Sequence, residues 1–160
     1  MKQERKTALI TGSGRNIGRG IAHELASSGH NIIVNGSNNR DAAESVAAEV
    51  RNLGVDAIVA MGNVGVKDEA KALIDKSVAA FGSLDILVNN AAIRPHDAFL
   101  EIDEGDWEHV INVNMNGPIW LARAALPHMI KNSWGRIINF TGMNAQRGYP
   151  AAAAVHRSKP

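Results

Sequence analysis

The sequence predicts an α/β domain built on a doubly wound parallel sheet of five strands, and three observations carry that expectation. Five short apolar runs alternate with four helical stretches along 160 residues. The strand runs are apolar throughout instead of alternating with polar residues, as strands covered on both faces are. Glycines or polar turns punctuate the units, and right-handed crossovers would then place helices on both faces of the sheet.

The first unit is residues 7–11 (TALIT), a glycine turn, and a helix marked by Ile17, Ile21, Ala22 and Leu25 that Gly29 ends. Residues 30–35 (HNIIVN) form the second strand, residues 36–39 (GSNN) a turn, and residues 41–53 an Ala-rich helix closed by Gly54. Residues 55–61 (VDAIVAM) are the third strand, 67–81 the third helix, ended by Gly82, and 84–89 (LDILVN) the fourth strand. After a loop to Ile102, one long helical stretch begins near Asp103, with Glu104 and Asp106 suited to its positive N-terminus. Residues 135–141 (GRIINFT) are the fifth strand.

Composition narrows the function classes. Lys and Arg number 17 against 16 Asp and Glu, so no surplus of positive charge is available for a nucleic-acid surface. There is no cysteine, which removes thiol catalysis and thiolate metal sites and fits a reducing compartment, the cytoplasm. No apolar run approaches the length of a membrane span, and the start, MKQERKTALI, carries no secretory signal. The histidines show no metal-ligand spacing, so no metal site is expected. One domain over residues 1–160 can bury roughly 70% of its unfolded surface, enough for a core without disulfides.

In a sheet of this kind ligands sit at the carboxyl ends of the strands, and the turn after the first strand is the expected phosphate site. That turn reads Thr11-Gly12-Ser13-Gly14-Arg15-Asn16-Ile17-Gly18. Gly12 and Gly18 suit close approach to a pyrophosphate and close packing of helix on strand, although the common GxGxxG spacing is absent because position 17 is Ile17.

Four segments in register, TGSGRNIG, NNAA at residues 89–92, INVNMNG at residues 111–117 and GRIINFTG at residues 135–142, resemble the short-chain dehydrogenase/reductase family from Lys6 to Lys159. The resemblance implies a Rossmann-like sheet of order 3-2-1-4-5 and an NAD(P)-dependent oxidoreductase that transfers hydride between a carbonyl and an alcohol. It places Gly12, Ser13, Arg15, Asn16, Ile17 and Gly18 at the cofactor, with Asn63 and Val64 beside the adenine and Asn90 and Ala91 near the nicotinamide ribose. Asn16 stands where the family has a glycine and tolerates left-handed backbone, and Ala92 replaces the glycine of NNAG.

An NAD site places an acid about 20 residues beyond the turn, whereas the end of the second strand here reads VNGSNNR. Arg15, Ser37, Asn38 and Arg40 can instead hold a 2′-phosphate, so NADP is expected over NAD.

The resemblance further implies a tyrosine acid, a lysine four residues later, a carbonyl-polarising serine, and an asparagine that holds a relay water. Asn114 matches the asparagine and Lys159 the lysine. Pro118 lacks the N–H that would bond the Asn114 carbonyl in an unbroken helix, which predicts a kink there. Val155 stands at the tyrosine position and Gly142 at the serine position, and neither can donate a proton. Tyr149 falls off the helix face of Lys159, while His156 is one residue from the tyrosine position, a rotation of about 100°.

Family members continue past the position of Lys159 with more helix, a further strand and a substrate-closing segment, so a C-terminally truncated domain is expected. Three readings stay open. One is an NADP-dependent oxidoreductase acting on a small carbonyl or alcohol substrate, as a homodimer or homotetramer. The others are a non-catalytic dinucleotide-binding or dimerising module that pairs through residues 103–130, and a truncated gene product.

Overall fold

The computed structural model describes residues 5–95 and 98–142. β1 (Thr7–Ile10) leads to α1 (Asn16–Ser27), β2 (Asn31–Gly36) to α2 (Arg40–Arg51), and β3 (Ala57–Met61) to α3 (Lys67–Phe81). β4 (Ile86–Asn89) is followed by a 3-10 turn (Phe99–Glu101) and α4 (Glu104–Ile111). A π-helical stretch (Asn112–Asn116) then runs into α5 (Gly117–Lys131), and β5 (Arg136–Asn139) follows.

The strands are all parallel in the order β3-β2-β1-β4-β5, the expected doubly wound sheet. Alternate residues of each strand feed opposite cores, which is why the runs are apolar throughout. Ala8, Ile10, Ile32, Val34, Ile86 and Val88 face α1 and α2, where Ala22, Ala26, Val46 and Val50 meet them. Leu9, Ile33 and Leu87 face the other way, onto Leu73 and Ile74 of α3 and Leu121, Ala125 and Met129 of α5. Each fully buried aliphatic side chain contributes about 1.5–3 kcal/mol, so both layers are needed to hold the sheet.

Two expectations are corrected. The single helical stretch from Asp103 divides: the Asp103 side chain caps α4 by accepting from the N–H groups of Gly105 and Asp106, at 2.8 and 3.3 Å, and the ladder then changes pitch before α5. Pro118 has no N–H to offer, and the ladder widens by one residue so that the Gly117 N–H donates to the Asn112 carbonyl, five residues back. The predicted kink is therefore a π turn. The second correction concerns strand length: the strands are shorter than the apolar runs, because Val55 and Leu84 are buried in the loops leading into β3 and β4.

β5 forms an apolar edge of the sheet, as expected of a last strand carrying Ile137 and Ile138. It is the outermost strand, with β4 its one described partner, and Ile138 is 44% exposed. The opposite edge is treated differently. The Arg51 Nε donates to the Ala57 carbonyl at 2.8 Å and the Lys76 Nζ to the Val59 carbonyl at 2.9 Å, so side chains from α2 and α3 cover the outward carbonyls of β3. Among the described residues no helix is long and apolar enough to cross a membrane.

Candidate functional site

The carboxyl ends of β1 to β4 bring four loops together, and the turn after β1 lies at their centre. Gly12 has φ +63, and a Cβ there would stand 3.1 Å from the Ala91 Cα. At Gly18 a Cβ would meet the Gly12 carbonyl oxygen at 2.5 Å and the Ser13 Cα at 2.8 Å. Gly14 is different, since its nearest neighbour would be the Ala43 nitrogen at 3.4 Å, an ordinary contact. Two of the three glycines are thus required by space, the two that the sequence singles out. Asn16 takes φ +49, the left-handed geometry expected where the family has glycine, and Ala92 stays outside that region.

The turn is held from below. Thr11 Oγ1 donates to the Val88 carbonyl at 3.2 Å and accepts from the Asn90 and Ala91 N–H groups, both at 3.0 Å. Asn90 Nδ2 returns to the Thr11 and Gly12 carbonyls at 2.9 and 3.2 Å. Ser13 is buried, with its hydroxyl donating to the Ile10 carbonyl at 2.8 Å and accepting from the Asn35 N–H at 3.1 Å. Ser13 and Asn90 therefore build the frame of the turn.

Arg15, Asn16 and Ile17 stand exposed on its open side. Ile17 is 63% exposed, an apolar side chain presented to solvent at the mouth of the turn. No side chain caps α1, whereas Asn39 caps α2 by accepting from the Ala42 N–H at 3.0 Å. The first N–H groups of a helix have no partner within it, so α1 directs donors and positive dipole into the space above Gly12. Ser37 and Asn38 are exposed beside this mouth. Arg40 pairs with Glu44 at 3.5 Å on α2, while Arg15 forms no ion pair among the described residues.

After β3, the Asn63 Oδ1 accepts from the Gly65 N–H at 2.9 Å, and the Asn63 N–H donates to Glu69 Oε2 at 2.7 Å. Val64 is buried, and a Cβ on Gly117 would lie 2.7 Å from its carbonyl oxygen. Asn63 and Val64 are thereby fixed against the π turn.

Asn114 sits in that π turn, 4% exposed. Its Oδ1 accepts from the Ile93 N–H and its Nδ2 donates to the Ile93 carbonyl, both at 3.0 Å. The loop after β4 is thus tied to the helix across the site. Gly142, at the serine position, has no described residue within 4 Å of where a Cβ would be. Lys159, Val155, His156 and Tyr149 lie outside the described residues.

On the outer surface of α1 and α2, Glu49 bonds Arg19 and His23, each at 2.7 Å. The Arg19 hydrogen bond, then that of His23, holds its carboxyl below the usual carboxylate range.

Three residues of the site escaped sequence reasoning: Thr11 as a hydroxyl hub, Glu69 as the partner of Asn63, and Asn35. The one signal was an amide ending an otherwise apolar strand, HNIIVN, directly before glycine.

The short chain dehydrogenase family model matches residues 6–159. The chain is 40% identical over 148 residues to the 3-oxoacyl-[acyl-carrier-protein] reductase FabG of Staphylococcus aureus, covering 92% of this chain and 60% of that protein. It is 36% identical over 154 residues to the 3-oxoacyl-[acyl-carrier-protein] reductase of a Synechocystis strain, covering 96% of this chain and 62% of that one. A metagenomic short-chain oxidoreductase solved in complex with NADP superposes with a TM-score of 0.91 at 29% identity, covering 96% of this chain and 70% of the other. A putative short-chain alcohol dehydrogenase from Sinorhizobium meliloti gives 0.93 at 27% identity, covering 98% and 62%. The chain spans about 60% of the length of the curated reductases it matches.

Proposed function

Because this chain belongs to the short-chain dehydrogenase family of oxidoreductases, we propose that it binds a nicotinamide dinucleotide, NADP in preference to NAD, at the turn after β1. The carrying observation is the cradle itself. A Cβ at Gly12 or Gly18 would fill it, Asn16 is left-handed, and the uncapped α1 aims its N–H groups across it. A pyrophosphate fits such a site, because backbone donors and helix dipole act together on negative charge.

Gly12, Asn16, Ile17 and Gly18 would line the pyrophosphate side of the site. Arg15, Ser37 and Asn38, with Arg40 behind them, present donors for a 2′-phosphate where no carboxylate stands to select a free ribose hydroxyl. Asn63 and Val64 would border the adenine, and Ala91, against Gly12, the nicotinamide ribose. When bound, the dinucleotide supplies a hydride to a small carbonyl substrate or accepts one from an alcohol.

The chain's own contribution to proton movement rests on Asn114 and Lys159. Asn114 fixes the Ile93 loop at the site, and Lys159 stands at the family's lysine position. Val155 and Gly142 carry no proton donor, so this chain is read as keeping the cofactor site without the tyrosine and serine. NADPH fluorescence titration tests the reading. Saturable binding is expected and should vanish in Gly12→Asp; no saturable binding by the unmutated chain overturns it.

One observation favours a second reading, a dinucleotide-binding or dimerising module without turnover. Met115, Ile119, Leu126 and Ile130 expose an apolar stripe along the π turn and α5, suited to a homodimer or homotetramer. Sedimentation analysis that finds only monomer at micromolar concentration counts against it, as does carbonyl-dependent NADPH oxidation abolished by Lys159→Ala. The balanced charge and absence of cysteine support a cytoplasmic place and give no footing for nucleic acid.

A further inference from the structure

We propose that Asn35 is a positioning residue of the dinucleotide site, setting the orientation of the glycine turn from beneath; the assignment rests on the dinucleotide reading above. Asn35 ends β2 and is 2% exposed. Its Oδ1 accepts from the Gly12 N–H at 3.2 Å, and its Nδ2 donates to the Ala60 carbonyl at 3.0 Å and the Gly62 carbonyl at 3.1 Å. Its main chain joins the same turn, the Ser13 N–H donating to the Asn35 carbonyl at 2.9 Å and the Asn35 N–H to Ser13 Oγ at 3.1 Å. One side chain thus links the turn after β1 to the end of β3, across the strand between them.

The chemistry of the amide makes this specific. The nitrogen faces the Ala60 and Gly62 carbonyls, with that of Gly36 further off at 3.4 Å, and the oxygen faces an N–H, so an acceptor on one side and two donors on the other are required. A carboxylate of the same shape keeps the acceptor and sets negative charge against two carbonyls. An alanine removes a hydrogen-bond partner from three backbone groups, the Gly12 N–H and the Ala60 and Gly62 carbonyls. The Gly12 N–H is taken by Asn35 Oδ1, so the donors offered to a ligand are those at the start of α1, and their direction depends on how Gly12 is held. A turn free to rock would misdirect them without any residue at the ligand being altered.

The test compares Asn35→Ala and Asn35→Asp with Val46→Ala, a core variant of α2 whose side chain makes no hydrogen bond to the turn, in the whole chain. NADPH affinity is read by fluorescence, global stability by thermal melting, and the Gly12 amide by hydrogen exchange. Each Asn35 variant should weaken NADPH by about tenfold or more, the scale of losing one buried hydrogen bond, and speed Gly12 exchange by at least about the same factor. Val46→Ala should lower the melting temperature and leave both readouts within about twofold. NADPH affinity that falls equally in Val46→Ala, or is unchanged in the Asn35 variants, overturns the assignment. If the unmutated chain binds no dinucleotide, it is the dinucleotide reading that has failed. Gly12 exchange then decides whether Asn35 holds the turn, and unchanged exchange in Asn35→Ala refutes even that. Should Asn35→Ala fail to fold, Asn35→Asp read at low pH replaces it, because a protonated acid regains one donor and should recover part of the lost affinity; no recovery refutes the assignment.

Discussion

Asn114 grips the peptide group of Ile93 at both ends, its carbonyl oxygen accepting and its amide nitrogen donating at 3.0 Å each. The residue proposed above to serve proton movement is the clamp that fixes the loop after β4. Replacing it by alanine should cost about 1–3 kcal/mol, since the Ile93 N–H and carbonyl lose a partly buried partner. Hydrogen exchange at residues 91–94 should quicken together with a drop in urea midpoint. Unchanged exchange there would show that the loop is held by something else.

The three glycines of the turn should rank by the space around them. Gly14→Ala should stay within about 0.5 kcal/mol of the unmutated chain, the range of an uncrowded substitution. Gly12→Ala is strained by its positive φ, and Gly18→Ala by a carbonyl oxygen 2.5 Å from the added carbon. Both should cost about 2 kcal/mol or more and abolish dinucleotide binding. Thermal melts paired with NADPH titration of the three variants give the order.

Activity should return only when both missing groups are restored. Among the described residues nothing crowds Gly142, and it lies outside the left-handed region, so Gly142→Ser meets no described neighbour. Val155→Tyr with Gly142→Ser should give carbonyl-dependent NADPH oxidation that neither single change gives, because proton donation and carbonyl polarisation act as a unit. Equal rates in the double variant and the unmutated chain would place proton donation elsewhere, with His156 the nearest titratable group in sequence.

Glu49 supplies the pH dependence that the structure predicts. The hydrogen bond from Arg19, then that from His23, lowers its folded-state pKa, so its contribution is present above the ordinary carboxylate range and is lost as pH falls through the lowered value. The difference in melting temperature between the unmutated chain and Glu49→Gln should therefore be present at neutral pH and shrink as pH falls below the ordinary carboxylate range. The gap should be small and salt-sensitive, because the pair is partly exposed. A gap that widens on acidification reverses the assignment.

The sheet was legible because runs such as NIIV and ILV divide by alternation between two cores, which leaves no polar face to confuse the period. The glycine turn was legible at Gly12 and Gly18 because steric need for glycine is a local property. The π turn was visible only as a missing N–H at Pro118, since its form depends on Val64 and Gly117 packing backbone to backbone. Asn35, Thr11 and Glu69 were hidden for the same reason: their partners lie 6 to 80 residues away, and nothing in one sequence reports on a pairing at that distance.

The two margins of the sheet are chemically unlike. At β3 the outward Ala57 and Val59 carbonyls are occupied by Arg51 and Lys76, whereas β5 exposes Ile138, and Phe140 just beyond it is partly exposed. Lateral growth of this sheet is therefore one-directional: a further strand, from whatever source, can dock beside β5, but beside β3 it would first have to displace two cations from the carbonyls it needs. A Rossmann sheet is often drawn as symmetrical about its switch point, but among the described residues only one flank is chemically receptive.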